Sequence, residues 1–415
     1  MSGTAHLARR VAGGAARAVA AGMSLALLVG TGYGWSVYRE VDRKVVTSDV
    51  IDTSTPAAAP DQPFTALLVG LDSRTDAAGN PLSPELLAQL RAGEDEGQLH
   101  TDTIILLHVP AGPNARAVAI SIPRDSFVVL AGGRDRHKIN AAYGRATKGA
   151  QDQLAAQGVA GPELDRRSRD AGRRALVATV EEFTGIAIDH YAEINLAGFV
   201  EMTEAVGGVP VCLNHAVREP LSGVNLPAGR QTVRGSDALA FVRQRHGLEE
   251  GDLDRIARQQ AFLAGMASRM LSAGTLSDPA AVRRLVDAIT RHVVLDRGWD
   301  LDGLIAQFRR MSGGDIHFVT IPTGTLALET PVDGVAVQVD PTLVRDFAVS
   351  TIAETDAAAT ASPSPTPSAA PGGTALPSAS PTSPAQTPAG PSATTGATSG
   401  SPNTGISAAG VTCVN

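Results

Sequence analysis

The sequence predicts an α/β protein of the α-β-α type, with a central mixed β-sheet flanked by helices and one N-terminal transmembrane helix. Three observations favour this class. Apolar runs with β-branched residues, FTALLVGL, IILLHV and AVAISIP, are typical of buried strands. Amphipathic segments with helical spacing, such as residues 172–184, follow these strands. A stretch without charged side chains, residues 18–38, has the length of a bilayer-spanning helix.

The start of the chain has the pattern of a membrane anchor. Residues 1–17 are basic, with no acidic residue, and the charge-free stretch ends in aromatic residues of the kind found at membrane interfaces. A cleaved signal peptide is the alternative, but no small-x-small cleavage site follows cleanly. Because the arginines precede the span, we expect a single-pass protein of the cell membrane, with its N-terminus in the cytoplasm and the remainder outside.

Composition divides the rest of the chain into three parts. Residues 39–62 are predicted to form a polar linker that ends in STPAAAPDQP, and residues 63–352 an extracytoplasmic folded domain. Residues 353–415 are rich in Pro, Ser, Ala and Thr and have almost no charge. A segment of that composition cannot bury a core, so this tail is expected to be disordered.

Charge and cysteine content exclude several classes of function. A net charge of −7 and a pI of about 5.7 argue against a general nucleic-acid binder. Arg greatly outnumbers Lys, which a GC-rich genome would also produce, so only the placement of arginines is informative. Cys212 and Cys413 form no CxxC pair, which leaves out a metal knuckle or a dithiol motif. His190 and His246 lack a second ligand at metal spacing and are predicted to be packing or capping residues.

Charged side chains stand at one end of each of three predicted strands. They are Asp72 and Arg74 after the first strand, Asp102 at the start of the second, and Arg124 and Asp125 after the third, with Lys138 a short distance beyond. A single Asp at a strand end is more often a turn former or a helix cap. Three such strands together favour a ligand site, because α/β folds place their sites at strand ends.

A second group of cations lies in the stretch DALAFVRQRHGLEEGDLDRIARQQAF, residues 237–262. The segment VRQR alternates like a strand edge and would place Arg243 and Arg245 on one face, followed by a helix that carries Arg255 and Gln259. Arg is suited to bidentate recognition of phosphate or carboxylate, so the stretch could be a phosphate clamp. A surface salt-bridge network between strand and helix explains the same residues and stays open at this point.

Several blocks of the sequence, taken together, resemble the LytR-CpsA-Psr family. They are LLVGLDSR, TDTIILLHV, AISIPRDSFV, KINAAY, IDHYAEINLAGF, VGGVPV, ALAFVRQRH and GDLDRIARQQAFL, and they occur in the family's order over residues 64–263. The resemblance implies a cell-envelope phosphotransferase. Members of that family move an anionic glycopolymer, such as teichoic acid, capsule or arabinogalactan, from a polyprenyl diphosphate carrier to a muramic-acid hydroxyl of peptidoglycan, and the new bond is a phosphodiester.

The resemblance also implies a role for each residue of the site. Mg²⁺ (or Mn²⁺) would be held by Asp72 and Asp102. The diphosphate would be contacted by Arg124, Arg243, Arg245 and Gln259, supported by Arg74, Asp125, Lys138 and Arg255. Within this set the catalytic group is Arg124, Asp125, Arg243 and Arg245, with Asp125 as the candidate general base. The implied partners are the lipid-linked polymer, peptidoglycan and the cell membrane, and no nucleic acid.

Two positions depart from the family's pattern. His100 stands where the family often has Arg two residues before the second metal Asp, and a histidine is a weaker, pH-dependent cation. Arg230 stands where related sequences often have a Cys that could pair with the equivalent of Cys212. Cys212 therefore either stays free or pairs with Cys413, which an oxidising exterior would permit.

Two other functions compete with the transferase. The same site could use water as acceptor and act as a polyprenyl pyrophosphatase. A non-catalytic envelope regulator or polymer-binding protein is the alternative from another class. A transcriptional role is disfavoured by residues 1–17, which are too few for a DNA-binding module.

Overall fold

A computed structural model describes residues 45–51, 62–91, 99–112, 116–244, 246–248, 252–270, 272–276, 278–299, 316–360, 406–407 and 411–415. The predicted anchor, residues 18–38, and the basic segment before it lie outside this set. Among the described helices, none is both long and apolar enough to cross a bilayer.

An eight-stranded mixed sheet forms the centre of the molecule, in the order β1-β12-β7-β2-β3-β4-β13-β16. Its strands are β1 Val46–Ser48, β2 Phe64–Asp72, β3 His100–Val109, β4 Ala117–Ser121, β7 His190–Asn195, β12 Val293–Asp296, β13 Ile316–Thr320 and β16 Ile406–Ser407. β2 runs parallel to β7 and antiparallel to β3, and β4 runs antiparallel to β3 and parallel to β13. The predicted mixed sheet is therefore confirmed.

The smaller strands form four separate units. Hairpins are made by β5 Phe127–Val129 with β6 Arg136–Lys138, by β9 Val217–Glu219 with β10 Val224–Leu226, and by β14 Leu328–Thr330 with β15 Gly334–Ala336. A three-stranded sheet consists of β8 Val209–Leu213, β11 Gly229–Val233 and β17 Cys413–Val414. These units lie beside the central sheet and do not extend its strand order.

Helices cover both faces of the sheet. They are α1 Pro84–Leu90, α2 Ala141–Ala156, α3 Gly161–Thr184, α4 Leu196–Ala205, α5 Gly235–Arg243, α6 Asp252–Met270, α7 Ala273–Leu276, α8 Pro279–His292 and α9 Pro341–Thr360. Two apolar cores result, because both faces of the central strands are buried. One core packs α4, α5 and α6 on the sheet through Phe241 and Phe262, and the other packs α2, α3 and α9 through Tyr143 and Leu176. The α-β-α layering follows from this arrangement.

Alternation along the central strands assigns each side chain to one core. In β2, Leu67 and Val69 enter the core below α3, whereas Ala66 enters the core below α6. The next strand divides in the same way, with Ile104 and Ile105 on opposite faces. The near-continuous apolar runs in the sequence are therefore explained by burial of both faces of these strands.

The folded region extends beyond the predicted limits of 63–352. Val46–Ser48, inside the expected linker, forms edge strand β1 and pairs in parallel with β12. At the other end, α9 continues to Thr360. The polar residues 150–170 belong largely to α2 and α3. Charged i,i+3 and i,i+4 pairs on α3, such as Arg166 with Glu163 and with Asp170, explain why so polar a segment is helical.

The last described residues of the tail are also paired with the body of the protein. β16 runs antiparallel to β13, and β17 runs parallel to β8. Cys413 forms a disulfide with Cys212. Of the two alternatives for Cys212, a free thiol or a bond to Cys413, the structure shows the bond. The disorder predicted from the composition of the tail is therefore wrong for β16 and β17.

Candidate active site

One edge of the central sheet collects the charged side chains that were predicted from three strands. β2 and β4 end at this edge, whereas β3 begins there, because β3 runs antiparallel to both. Asp72 closes β2, Asp102 lies near the start of β3, and Arg124 follows β4 after a Pro. Residues that are 22 to 52 positions apart in the sequence therefore meet at one place.

A β-bulge aims Asp102 into the site. Thr103 pairs with Gly70 and Thr101 pairs with Leu71, so Asp102 is the extra residue that faces no partner in the β2–β3 ladder. A Cβ on Gly70 would lie 3.1 Å from the Cβ of Thr103, so the close approach of the strands at the bulge depends on glycine. This backbone irregularity brings the carboxylate of Asp102 beside that of Asp72.

Arg124 contacts two carboxylates, that of Asp102 on β3 and that of Asp125, the next residue in the chain. Its Nη1 donates to Oδ1 of Asp102, and its Nε lies 3.5 Å from Oδ2 of Asp125. Lys138, on β6, places its Nζ 3.4 Å from the other oxygen of Asp125. Asp125 is buried and flanked by two cations, an arrangement that positions Arg124 and Lys138.

The cations of the second group reach the site from a helix end. Residues 235–243 form α5, so the prediction of a strand over VRQR is wrong. The apolar residues Ala238, Leu239 and Val242 follow helical spacing and are buried, which overrides the local alternation. Arg243 closes α5, with Nη2 3.4 Å from Oδ1 of Asp72.

Arg74 contacts the same carboxylate oxygen of Asp72 at 3.2 Å. Asp72 is therefore held between two arginines, one from the loop after β2 and one from α5. The predicted diphosphate contact Arg245 lies outside the described residues.

Helix α6 supplies two further members of the predicted set. Arg255 and Gln259 stand one turn apart on the same face, and both line the cavity described below. Arg255 is only 4% exposed, so its guanidinium is shielded from bulk water.

Arg258, also on α6, does not line the cavity and has a different environment. It donates to the side chain of Gln244 and to the backbone oxygen of Asn415, and it lies 5.4 Å from the ring centre of Phe241. Burial lowers the pKa of Arg258 to about 10. Its contacts join α6 to the last residue of the chain, which is a structural role.

The neighbouring carboxylates of Asp72 and Asp102 repel each other. Burial raises the pKa of Asp72 above its ordinary value, and the negative charge of Asp102 adds to the rise. Arg243, Arg74 and His100 act in the opposite direction without cancelling it. A bound cation would relieve this repulsion.

The donor set fits Mg²⁺. Asp72 and Asp102 offer hard carboxylate oxygens, and Mg²⁺ keeps several waters while it uses only one or two carboxylates with phosphate oxygens. In the described part of the chain, no group of three or more His, Cys, Asp or Glu side chains converges as a complete metal site. The remaining ligands would therefore come from water and substrate.

A cavity of about 600 Å³ opens from this polar edge into the apolar core. Its polar part is formed by Asp72, Asp102, Arg124, Arg243, Arg255 and Gln259. Its apolar walls come from the core below α4, α5 and α6, and include Ile105, Phe199, Leu239, Phe262 and Met266. Size and polarity suit a ligand with an anionic head and a hydrocarbon tail.

Sequence reasoning missed several residues at the mouth of this cavity. Arg91, at the end of α1, and Glu219 and Leu221, in the β9–β10 hairpin, line it, and so does His246, which had been assigned to packing or capping. None of them belongs to a recognisable pattern. Arg91 lies in a polar insertion between β2 and β3, and nothing in the sequence of that insertion singles it out.

Comparison with known proteins establishes the family. The model of the LytR_cpsA_psr family matches residues 34–345, about three quarters of the chain. That range contains the central sheet up to β13 and every predicted site residue. The chain therefore belongs to the LytR_cpsA_psr family.

Two curated relatives are similar over much of the chain. Cell wall biosynthesis protein LcpA of Corynebacterium glutamicum is 43% identical over 354 residues, which cover 82% of this chain and 66% of the relative. Polyisoprenyl-teichoic acid–peptidoglycan teichoic acid transferase TagU of Oceanobacillus iheyensis is 32% identical over 56% of this chain and 64% of the relative. The chain thus spans just under two thirds of the length of these relatives.

A solved structure supports the fold. Protein gbs0355 of Streptococcus agalactiae aligns with a TM-score of 0.50 and 18% identity over 74% of this chain and 90% of that one. At this identity the likeness concerns architecture alone.

Proposed function

We propose that the protein is a membrane-anchored phosphotransferase that moves an anionic glycopolymer from a polyprenyl diphosphate carrier to peptidoglycan. The relatives are named for cell wall biosynthesis and for transfer of teichoic acid to peptidoglycan. The bond formed would be a phosphodiester to a hydroxyl of the acceptor sugar. The predicted anchor over residues 18–38 would hold the domain at the outer face of the cell membrane, where the lipid carrier is presented.

One observation carries this proposal: the polar site and the apolar cavity are continuous. A lipid diphosphate is an anionic head joined to a long hydrocarbon tail. The arginines around Asp72 and Asp102 suit the head, and the walls around Phe199 and Phe262 suit the first prenyl units. A soluble sugar phosphate would leave the apolar part of the cavity unused.

The side chains of the site divide the work of phosphoryl transfer. Arg124, beside Asp102, and Arg243, beside Asp72, would donate to diphosphate oxygens as negative charge develops on the departing prenyl phosphate. Arg255, shielded from water, would act in a less polar environment in which its charge is felt more strongly. Gln259, one turn away, would donate a neutral hydrogen bond.

The transfer itself requires the acceptor hydroxyl to attack the phosphorus that bears the glycopolymer. The bond to the prenyl phosphate breaks, and the hydroxyl proton passes to a carboxylate, for which Asp125 is our candidate. Lys138 and Arg124 hold Asp125 in place. Mg²⁺, held by Asp72 and Asp102, would supply further neutralisation of the diphosphate when bound.

A donor–acceptor assay tests the proposal. Purified protein is incubated with Mg²⁺ and a labelled polyprenyl-diphosphate-linked oligosaccharide, with and without peptidoglycan. We expect label to appear on peptidoglycan and polyprenyl phosphate to be released. Release of free phosphorylated saccharide at the same rate without acceptor would instead identify a pyrophosphatase, and binding without any turnover would identify a polymer-binding protein.

A further inference from the structure

The backbone of Arg91 has an unusual conformation. Among the described residues, Arg91 is the only non-glycine residue with a positive φ, at 49°. It ends α1 in the left-handed region, a position that glycine usually occupies because a Cβ is disfavoured there. Non-glycine residues in such conformations concentrate at functional sites, so an outlier of this kind calls for an explanation.

The helix before Arg91 is firmly placed. Ser83 caps the start of α1 by accepting from the backbone N–H of Leu86 at 3.3 Å, and Leu90 is only 3% exposed in the core. Arg91 itself is exposed. The guanidinium is therefore held at a defined point of the surface by an anchored helix.

The guanidinium of Arg91 lines the cavity, and among the residues that the structure describes it has no counter-charge. In the described part of the chain no carboxylate or hydrogen-bond acceptor is paired with it, although it lines the cavity together with Arg243 and Arg255. The site arginines Arg74, Arg124 and Arg243, by contrast, contact Asp72, Asp102 or Asp125. An unpaired cation at the mouth of a cavity is available to an anionic ligand.

The β9–β10 turn packs against this cation. Glu219 accepts from the backbone N–H groups of Leu221 at 2.6 Å and Ser222 at 2.7 Å, which fixes the turn, and Gly223 follows with a φ of +80°. A Cβ on Gly223 would overlap the guanidinium of Arg91. The turn thus positions Arg91 through close packing, while the carboxylate of Glu219 is occupied by the turn's own backbone.

Arg91 is adjacent to the predicted diphosphate site. The backbone oxygen of Leu90, the preceding residue, accepts from Nη1 of Arg243 at 3.2 Å. Arg243 in turn contacts Asp72. A ligand whose diphosphate lies between Arg243 and Asp72 would therefore extend past Arg91 as it leaves the cavity.

We propose that Arg91 binds an anionic group, a phosphate or a carboxylate, on the carbohydrate that the lipid diphosphate carries. This inference rests on the proposed function and adds a specificity residue outside the diphosphate site. It assigns the protein a preference for charged over neutral lipid-linked saccharides. On this assignment, the Arg91 side chain in its left-handed backbone conformation serves the ligand and not the fold.

Two synthetic probes test the assignment by calorimetric titration in the presence of Mg²⁺. One is a farnesyl diphosphate linked to a neutral disaccharide, and the other carries a single additional phosphate on that disaccharide. We expect the wild-type protein to bind the phosphorylated probe about tenfold more tightly, the effect of one good charge-assisted contact. Arg91→Gln should bind both probes with the affinity that the wild type has for the neutral one.

Matched variants separate charge recognition from general effects. Arg218→Gln removes an exposed arginine of the same hairpin that does not line the cavity, so it should keep the tenfold preference. Arg91→Gly should lose the preference and raise the midpoint of thermal unfolding, since glycine relieves the left-handed backbone. A lowered midpoint would show that the side chain serves the fold, and would overturn the assignment.

The remaining outcomes distinguish this inference from the proposed function. Equal binding of both probes by the wild type overturns the assignment of Arg91 and leaves the proposed function intact. Absence of binding to either probe overturns both. If Arg91→Gln keeps the preference between probes but loses affinity for a soluble peptidoglycan fragment, Arg91 contacts the acceptor and the donor assignment is wrong.

Discussion

The guanidinium of Arg243 lies 3.4 Å from the carboxylate of Asp72, although 171 residues separate them in the chain. Asp72 is the last residue of β2 and Arg243 is the last residue of α5, so the contact joins the end of a central strand to the end of a helix. Arg243 also donates to the backbone oxygen of Leu90, which ties α1 to the same point.

Arg243→Ala should lower turnover with little loss of stability. Removing one preorganised donor to a developing oxyanion reduces kcat by about 100- to 1,000-fold. The ion pair with Asp72 is partly exposed, so its loss should cost at most about 1 kcal/mol of unfolding free energy. Steady-state transfer assays and urea denaturation measure the two effects. Arg230→Ala, an exposed arginine on β11, should change neither, and equal turnover of both variants would remove Arg243 from the site.

Asp72→Asn should stabilise the metal-free protein at neutral pH. The pKa of Asp72 is raised in the folded state by burial and by Asp102. A carboxyl group whose folded pKa is raised contributes most below its unfolded pKa, and the contribution is lost as pH rises through the folded value. Thermal unfolding in EDTA at pH 7 should therefore shift upward in the variant, and the difference should shrink toward pH 3.

The same variant should lose the response to metal. If Asp72 and Asp102 bind Mg²⁺, saturation at 100 times Kd stabilises the wild type by about 2.7 kcal/mol. Asp72→Asn should gain much less at the same Mg²⁺ concentration. An equal Mg²⁺-dependent shift in both proteins would place the ion elsewhere.

Loss of the disulfide should destabilise the domain. Cys212 and Cys413 are 201 residues apart, and crosslinks across long loops typically contribute about 2–4 kcal/mol, mainly by restricting the unfolded chain. Cys212→Ser and Cys413→Ser should each reduce unfolding free energy by that amount, as should reduction of the wild type. The double variant serves as the internal control, because it should be no less stable than either single one. Additive losses would mean that each cysteine contributes separately.

Arg173→Met should be the most damaging single change away from the site. Arg173 on α3 forms a bidentate pair with Glu193 on β7, at 2.9 and 3.0 Å, and the two residues are 4% and 5% exposed. Glu193 would keep only the hydrogen bond from the Tyr191 hydroxyl, and the loss of its buried counter-charge should cost about 3–5 kcal/mol in urea denaturation at pH 7. Pairing the change with Glu193→Leu should recover most of the loss, whereas a double variant as unstable as the single one would point to packing.

The same pair predicts the response to acid. Burial by itself raises the pKa of Glu193, but the charge and hydrogen bonds of Arg173 overcome it and hold the pKa below its usual value. A carboxylate with a lowered folded pKa stabilises the protein above its unfolded pKa, and this contribution is lost as pH falls through the folded value. The wild type should therefore lose stability below about pH 4.5, the ordinary Glu value, and Arg173→Met should lose less over that range.

Much of the fold could be predicted because strands that are buried on both faces appear in the sequence as long apolar runs. Strands β2, β3 and β4 contain long apolar runs, and charged residues stand at one end of each run. Asp72, Asp102 and Arg124 were found in this way, since a charge at the end of a buried strand is conspicuous. The order of strands and the antiparallel direction of β3, which bring those ends together, are long-range properties that these runs do not encode.

Other parts of the site depend on features that local patterns do not report. VRQR alternates like a strand, yet the buried residues before it continue a helix to Arg243. The orientation of Asp102 comes from a bulge, and one extra residue in a ladder is visible only when both strands are known. Arg91 reaches the cavity from a polar insertion, where nothing distinguishes a ligand-facing arginine from a solvated one.

The bond between Cys212 and Cys413 makes a covalent ring of the intervening chain. That ring contains Arg243, Arg255 and Gln259, and also the Pro- and Ser-rich residues 361–405. A protease that cuts the ring once leaves a single molecule, with both new ends tethered and the site residues still attached. Protein nicked in this way would run as one band on a non-reducing gel, and the two fragments would separate only after reduction.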